Sequence, residues 1–236
     1  MKTTRVVLHD QGGPEVLRLE DIDLAAPGSG EVQIEQTAVG LNYMDVYQRS
    51  GAYPLSLPSP LGLEAAGRIT TVGPDVTDFK PGDRIAYGPV LGAYAKHRNG
   101  PAARLVAIPD GITNEVAAAV LMKGTTVQYL LNRTCHISPG QDVLFWAASG
   151  GVGQLAGQWG AHLGARMIGV TAGRANYEAI LKLGYADAID RESEDVAERV
   201  LELTGGKGVS VVYDSVGAAS FEASIASLAT YGMLVS

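Results

Sequence analysis

The chain has 236 residues, of which 46% are hydrophobic and 18% charged, and its formal net charge is -7 at pH 7. This acidic balance, without any run of Lys or Arg, argues against nucleic-acid or anionic-membrane partners, since both need basic patches. The single cysteine, Cys135, excludes a disulfide framework and a cysteine-rich zinc site. No segment has the pattern of a signal peptide or a membrane span, so a globular cytoplasmic protein is expected.

Residues 1–123 are predicted to form a mostly β domain. Strand-like runs occur at residues 6–8, 32–35 and 66–73, and turns rich in Gly and Pro separate them. Short strands closed by such turns are typical of a small, partly open β-barrel.

Residues 124–236 alternate between strand and helix patterns. Strands are predicted at 142–146, 166–170, 188–189, 209–213 and 233–235, and helices at 153–163, 175–183, 196–203 and 220–229. This alternation predicts an α/β fold with a doubly wound parallel sheet. On the first of these helices Leu155, Trp159 and Leu163 recur at helical spacing and are predicted to face the sheet.

A glycine-rich turn follows the first of these strands. Its pattern, Ala147-x-x-Gly150-x-x-Gly153, stands between a strand and a helix, where a dinucleotide pyrophosphate binds backbone N–H groups. Alanine replaces the first glycine of the usual pattern, and the alternative is a tight turn without a ligand. We expect this turn to contact the cofactor through Ser149, Gly150, Gly151, Val152 and Gly153.

The second strand of this half ends without an acidic residue. NAD sites usually have Asp or Glu there to bind the ribose hydroxyls, whereas Arg174 is placed to pair with a 2′-phosphate. Arg191, after the third strand, is expected to converge on the same pocket. The pattern therefore favours NADPH, and the alternative is that Arg174 is a solvated arginine at a helix start.

Matches spread along the whole chain support a family resemblance. They lie at residues 9–17, 40–54, 62–67, 81–84, 121–126, 140–158, 204–209 and 213–217. Together they resemble the quinone oxidoreductase (zeta-crystallin-like) branch of the zinc-free medium-chain dehydrogenase/reductase superfamily. The resemblance implies a GroES-like substrate domain at 1–123, a Rossmann domain at 124–236, NADPH as cofactor and a quinone as substrate.

The resemblance also implies the site residues. Asn42, Tyr47 and Tyr53 match pocket residues that can donate hydrogen bonds, and Tyr53 is the first choice for polarising the substrate carbonyl. The implied cofactor contacts also include Thr126, Thr171, Asn176, Ser215 and Gly217. From the residues alone, the favoured interpretation of both tyrosines is loop aromatics packed on prolines. Asn42 can equally be a cap or close a turn, and Asp214 can equally be a helix cap or turn former.

The zinc ligands of related alcohol dehydrogenases are absent from this sequence. Leu63 stands where those relatives have histidine, and Asn42 stands where they have cysteine, so no metal is expected. The usual phosphate-binding lysine and tyrosine of the resembled family align with Asn176 and Arg191. Gly157 and Gly160 lie within the first helix after the loop. Each is expected to lower the stability of the helix by about 1 kcal/mol relative to alanine.

Three alternatives accompany the quinone reductase prediction. The first is NADPH-dependent reduction of the C=C bond of an enal or enone. The second is an NADPH-binding protein without turnover, either crystallin-like or RNA-binding, and the third is an inactive fragment. The resembled family continues beyond Ser236, so a truncated chain with about five of six strands is expected. A family-like homodimer is possible, although its usual edge strand would be missing.

Overall fold

Strand pairing gives three sheets in the computed structural model, which describes residues 1–236. The chain divides into two units, Met1–Met122 and Lys123–Ser236. The long helix α2 contains the boundary between them. No helix combines the length and the apolar character that crossing a membrane requires.

The first unit contains two antiparallel sheets and one short helix before α2. Its elements are β1 (Lys2–Leu8), β2 (Leu17–Asp23), β3 (Glu31–Gly40), α1 (Tyr43–Ser50), β4 (Ser59–Pro60), β5 (Glu64–Val72), β6 (Arg84–Tyr87), β7 (His97–Pro101), β8 (Leu105–Ala107) and α2 (Asn114–Tyr129). The sheet orders are β2-β1-β4 and β7-β3-β5-β6-β8.

A bridge between Arg5 and Ala95 connects β1 to the segment before β7. Alternate residues of β3 and β5, including Val32, Ile34 and Ile69, point into a shared apolar core. The predicted partly open β-barrel is therefore confirmed. The predicted runs 6–8 and 32–35 lie within observed strands, and the run 66–73 extends one residue past the end of β5. Helix α1, which contains Tyr47, was not predicted from the sequence.

The second unit consists of strands that alternate with helices. Its elements are β9 (Asp142–Phe145), α3 (Gly151–His162), β10 (Arg166–Thr171), α4 (Tyr177–Leu181), β11 (Asp187–Asp190), α5 (Val196–Leu203), β12 (Val209–Tyr213), α6 (Phe221–Ala226) and β13 (Leu228–Val235). The strand order is β11-β10-β9-β12-β13, and every pair is parallel.

Both faces of this parallel sheet are buried. Val143 and Met167 point to the face on which α3 packs, while their neighbours Leu144 and Ile168 point to the face of α5. Burial on both faces explains why these strands are continuous apolar runs rather than alternating patterns. The predicted doubly wound parallel sheet is confirmed.

The face that α3 presents to the sheet differs from the prediction. Leu155, Trp159 and Leu163 pack against the core but remain partly exposed. The fully buried face consists of the small residues Gly153, Ala156, Gly157 and Gly160. A methyl group on Gly157 would collide with the Tyr185 ring, and one on Gly160 would collide with Met167. The glycines therefore allow the helix to approach the sheet closely.

The predictions for the last two elements need a correction. The predicted helix 220–229 ends earlier, at Ala226, and the predicted strand 233–235 begins earlier, at Leu228. The register with β12 shifts between Val209 and Val211, because the segment around Tyr231 bulges out with a left-handed backbone (φ 64°). A strand interrupted by a bulge lacks the regular alternation from which its start could be predicted.

Candidate active site

The glycine-rich turn between β9 and α3 is anchored on both sides by main-chain hydrogen bonds. Trp146 N–H donates to the carbonyl of Tyr213, and Ala148 N–H donates to that of Val170. Ala147 adopts a left-handed conformation (φ 52°), and its carbonyl accepts a bond from Gly150 N–H at 2.9 Å. Alanine thus adopts the conformation for which this position usually has glycine, at a modest conformational cost.

The start of α3 presents uncapped N–H groups. Gly150 is the N-cap, no side chain caps the helix, and its first turn contains no acidic residue. The first main-chain bond of the helix runs from Gln154 N–H to the carbonyl of Gly150. The preceding N–H groups of Gly151, Val152 and Gly153 are therefore oriented for an anion, which the helix dipole also favours.

Gly153 holds the turn against the helix. A methyl group there would lie 2.5 Å from the carbonyl oxygen of Ala147 and 2.6 Å from the Cα of Ala148. The Tyr185 hydroxyl donates to the Gly153 carbonyl at 2.7 Å, and burial raises the pKa of this phenol. The loop that the sequence predicted as a phosphate cradle therefore has the geometry to bind one. Tyr185 was missed because no motif contains it.

Replacing Tyr185 with phenylalanine is expected to lower the free energy of unfolding by about 1 kcal/mol. The ring still fills the space beside Gly157, but the Gly153 carbonyl loses the bond from the Tyr185 hydroxyl, which adds to its intrahelical bond. Urea unfolding measures the change. The exposed tyrosine Tyr231 is the matched control, and its replacement by phenylalanine should change stability by less than about 0.5 kcal/mol. Equal stability of the Tyr185 variant and wild type would contradict a stabilising role of this bond.

The turn after β10 gathers the residues predicted for the adenosine end of the cofactor. Thr171 ends the strand and is buried, whereas Arg174 is exposed on a single helical turn, Arg174–Asn176. The Asn176 amide donates weakly, at 3.4 Å, to the carbonyl of Ala172. Arg191 follows β11 and is exposed, with its N–H bonded to the carbonyl of Thr171.

Asp190, at the end of β11, fixes this turn. Its carboxylate accepts hydrogen bonds from the N–H groups of Gly173 (2.8 Å) and Glu192 (3.1 Å) and from the Ser193 hydroxyl (2.9 Å). These bonds, led by that from Glu192 N–H, lower the pKa of Asp190, and the charge of Arg174 adds to the effect. Asp190 was not predicted from the sequence, because it belongs to the third strand of this sheet rather than the second.

The turn after β12 is built around Asp214. This buried carboxylate accepts bonds from Val216 N–H, Gly217 N–H and the hydroxyls of Ser220 and Ser224. Burial by itself would raise its pKa, but the donors, led by Ser224 and Ser220, hold the pKa below its usual value. Asp214 therefore shapes the turn, and this turn leaves the predicted cofactor residue Ser215 exposed.

Thr126 lies on α2, in the part that belongs to the second unit. On the same helix, the aliphatic side chain of Lys123 lies beside Gly151, so that a methyl group on that glycine would come within 2.9 Å of it. The Lys123–Tyr129 part of α2 thus begins beside the start of α3, and the cofactor contact of Thr126 stays a prediction.

In the first unit a buried polar network surrounds the start of α1. Asn42 is the N-cap, and its side chain and Asp45 form a reciprocal capping box. The Asn42 amide also donates to Glu64 Oε2 at 3.0 Å, and Glu64 Oε1 accepts from Met122 N–H at 2.6 Å. Tyr94 donates to Asp45 at 2.7 Å, and burial together with this bond raises the pKa of Tyr94. The Asn42 side chain is therefore already bonded on both sides.

The tyrosines near α1 form an exposed aromatic cluster. Tyr43 and Tyr47 lie on the helix with ring centroids 5.1 Å apart, and Tyr47 and Tyr53 are 5.2 Å apart. Tyr47 belongs to α1 and not to a loop, and both Tyr47 and Tyr53 are partly exposed, at 39% and 46%. The predicted pair is thus brought together, and Tyr43 joins it.

No group of three or more His, Cys, Asp or Glu side chains in the structure is arranged to hold a metal ion. Leu63 and Asn42, which stand at the zinc-ligand positions of the related dehydrogenases, are both buried.

Comparisons with known proteins place this architecture in one family. The sequence profile of the alcohol dehydrogenase GroES-like domain matches residues 28–177, and that of the zinc-binding dehydrogenases matches residues 151–236. A quinone oxidoreductase of Pseudomonas aeruginosa is 48% identical over 235 residues, which cover 98% of this chain and 72% of that protein.

Two further relatives differ in what they are named for. The crystal structure of Escherichia coli quinone oxidoreductase complexed with NADPH superposes with a TM-score of 0.96 at 46% identity, covering 99% of this chain and 72% of that one. A 2-haloacrylate reductase of a Burkholderia species is 41% identical, covering 96% of this chain and 70% of that protein.

Proposed function

Because the chain belongs to the quinone oxidoreductase family of the medium-chain dehydrogenases/reductases, we propose that it reduces a quinone by hydride transfer from NADPH without a metal ion. The observation that carries the proposal is the uncapped start of α3, where the N–H groups of residues 151–153 have no intrahelical acceptor. The fold around this helix start matches that of the NADPH-bound E. coli relative. The same proposal assigns the substrate to residues 1–123 and the cofactor to residues 124–236.

NADPH fits the residues of the second unit. The N–H groups at the start of α3 would hold the pyrophosphate, with Ser149 and Val152 flanking it. Arg174 and Arg191 would pair with the 2′-phosphate, together with Thr171 and Asn176. Ser215, Gly217 and Thr126 would contact the nicotinamide half. When bound, the nicotinamide supplies the hydride, and the protein supplies orientation and electrostatics.

The first unit would stabilise the charge that develops on the quinone oxygen. Tyr47 and Tyr53 are exposed phenols that can donate a hydrogen bond to it, and Tyr53 is the proposed donor to the reacting carbonyl. The hydride converts the quinone to the hydroquinone anion, and one further proton gives the hydroquinone. Asn42 would act by holding α1, and with it Tyr47, in place, because its side chain is bonded to Asp45 and Glu64.

The proposal extends to partners and location. Because the chain has a net charge of -7, nucleic acid and anionic membranes are not proposed as partners. The cytoplasm is the proposed location. A metal-free mechanism is proposed because leucine and a bonded amide stand at the two zinc-ligand positions. A homodimer like that of the resembled family remains part of the proposal.

Two measurements test the proposal: isothermal titration calorimetry with NADPH, and an assay of NADPH oxidation in the presence of 1,4-benzoquinone. We expect saturable NADPH binding and NADPH oxidation that depends on the quinone and persists in the presence of EDTA. Saturable binding without oxidation would support an NADPH-binding protein without turnover. The absence of NADPH binding would contradict the proposed function as a whole.

A second candidate function is reduction of an activated C=C bond. The observation that favours it is the 41% identity to a protein named 2-haloacrylate reductase. Comparing kcat/KM for benzoquinone and for 2-chloroacrylate, both with NADPH, distinguishes the two. A larger kcat/KM for 2-chloroacrylate would favour C=C reduction over quinone reduction, and the proposed cofactor would remain NADPH.

Replacing Tyr53 with phenylalanine is expected to lower kcat for benzoquinone about tenfold while KM for NADPH stays unchanged. The phenyl ring still packs on Tyr47, but the hydrogen bond to the developing charge is lost. Steady-state kinetics measures the effect. The matched control is Tyr129→Phe on α2, another exposed tyrosine, which should leave kcat unchanged. A Tyr53 variant with wild-type kcat would exclude Tyr53 as the donor.

A further inference from the structure

A carboxylate from another segment of the chain lies beside the turn after β10. Glu192, which follows β11, places its Oε2 atom 3.4 Å from the position that a β-carbon on Gly173 would occupy. Gly173 has a left-handed backbone (φ 79°) and leaves this space open. In dinucleotide-binding sheets the adenosine ribose lies at the end of the second strand, and an acid there accepts bonds from its hydroxyls.

The contacts of Asp190 hold the turn that brings Glu192 to this place. One oxygen of the Asp190 carboxylate accepts bonds from both Gly173 N–H and Glu192 N–H, so it ties the turn after β10 to the turn after β11. The Asp190 N–H donates in turn to Glu194 Oε2 at 2.8 Å. The Asp190 carboxylate is therefore occupied by two backbone N–H groups and the Ser193 hydroxyl, whereas the exposed Glu192 side chain is available to a ligand.

The charges around this turn balance. Arg174 and Arg191 contribute two positive charges, and Asp190 and Glu192 contribute two negative charges. The charge of Arg174 is in part directed at Asp190, whose pKa it helps to lower. A pocket without excess positive charge gains less from a 2′-phosphate than an unopposed pair of arginines would, and specificity depends on such differences in affinity.

We propose that Glu192 is a specificity-determining residue that makes this site accept NADH as well as NADPH. Its carboxylate accepts hydrogen bonds from the 2′- and 3′-hydroxyls of the NADH ribose. With NADPH, the Glu192 side chain turns toward solvent and Arg174 pairs with the 2′-phosphate. The inference depends on the proposed function, because it concerns the same cofactor site.

Calorimetric titration of the full chain with NADH and with NADPH tests this proposal. We expect wild type to bind both, with dissociation constants within about tenfold of each other. Glu192→Gln should weaken NADH binding about tenfold, because the amide offers one poorer acceptor to two hydroxyls. The same variant should leave NADPH binding unchanged or slightly tighter. The control Glu198→Gln removes an equal charge from the exposed side of α5 and should alter neither constant.

The possible results distinguish a failure of the inference about Glu192 from a failure of the proposed function. If wild type binds NADPH but not NADH, the inference about Glu192 is overturned and the proposed function stands. If Glu192→Gln weakens both cofactors equally, or neither, the inference is also overturned, since Glu192 then does not discriminate. If wild type binds neither cofactor, the proposed function fails and the inference fails with it.

Discussion

Replacing Gly153 with alanine is expected to weaken NADPH binding by at least about a hundredfold, or about 2.7 kcal/mol. The added methyl group would lie 2.5 Å from the Ala147 carbonyl oxygen and 2.6 Å from the Ala148 Cα. Both are backbone atoms, so the clash cannot be relieved by a side-chain rotation. The turn must move away from α3, which displaces the N–H groups proposed to hold the pyrophosphate. Calorimetric titration with NADPH measures the loss.

A second glycine provides the control for this substitution. In β7 a methyl group on Gly100 would meet the Ile34 side chain at 3.7 Å, an ordinary contact distance. Gly100→Ala should therefore bind NADPH as wild type does. A thermal melt of the Gly153 variant shows whether the fold survives. A folded Gly153→Ala variant that binds NADPH within about threefold of wild type would show that this turn does not bind the pyrophosphate.

The sequence predicted the phosphate turn because several signals agree there. The apolar run of β9 is buried on both faces, so it is recognisable without alternation, and the small residues that follow mark the turn. Ala147 departs from the usual glycine of the motif, but the turn still forms, because a single alanine tolerates the left-handed backbone (φ 52°). Local residue type thus carried enough information to locate the turn between β9 and α3, and its binding of the pyrophosphate stays a prediction.

The buried face of α3 could not be predicted in the same way. Helical periodicity identifies the large apolar side chains Leu155, Trp159 and Leu163, but glycine contributes no hydrophobic signal. From the sequence, Gly157 and Gly160 were expected only to lower the stability of the helix. In the structure, the absence of a side chain at these positions allows Tyr185 and Met167 to pack closely against the helix. The requirement for glycine comes from residues distant in the chain, and a single sequence does not contain that pairing.

The charge pattern at the adenosine end shows the same limit. The absence of an acid after β10 is visible in the sequence, and it favours NADPH. The structure adds Asp190 and Glu192, which come from the next strand and approach the same turn through Gly173. Parallel strands bring the ends of β10 and β11 together, so Asp190 and Glu192 reach the turn after β10 although they come later in the chain. Reading one strand end at a time misses this neighbour.

The roles of Asn42 and Asp214 depended on hydrogen bonds that the sequence left open. Asn42 had two interpretations, one at the site and one as a cap, and Asp214 was interpreted as a cap or turn former. Asn42 caps α1 and is bonded to Glu64, and Asp214 accepts four bonds within its own turn. Both residue types suit capping and binding equally well, so only the positions of their partners distinguish the two.

Replacing Asp214 with alanine is expected to lower the free energy of unfolding by roughly 3 kcal/mol at pH 7. The Ser220 and Ser224 hydroxyls, at 1% and 0% exposure, would lose their common acceptor without access to water. Urea unfolding measures the change. The control is Asp195→Ala, which removes an exposed aspartate that caps α5 through Glu198 N–H and should cost about 1 kcal/mol.

The pH dependence of this difference tests whether the ionised form carries the stability. The pKa of Asp214 is lower in the folded protein than its ordinary value of 3.8. Its contribution is therefore fully present well above pH 3.8 and is lost as the pH falls through the folded pKa. The stability difference between wild type and Asp214→Ala should accordingly be constant from pH 7 to about 5 and shrink below about pH 4. A difference that stays the same at pH 3 would mean that the protonated acid holds the turn equally well, and that the two serines gain nothing from its charge.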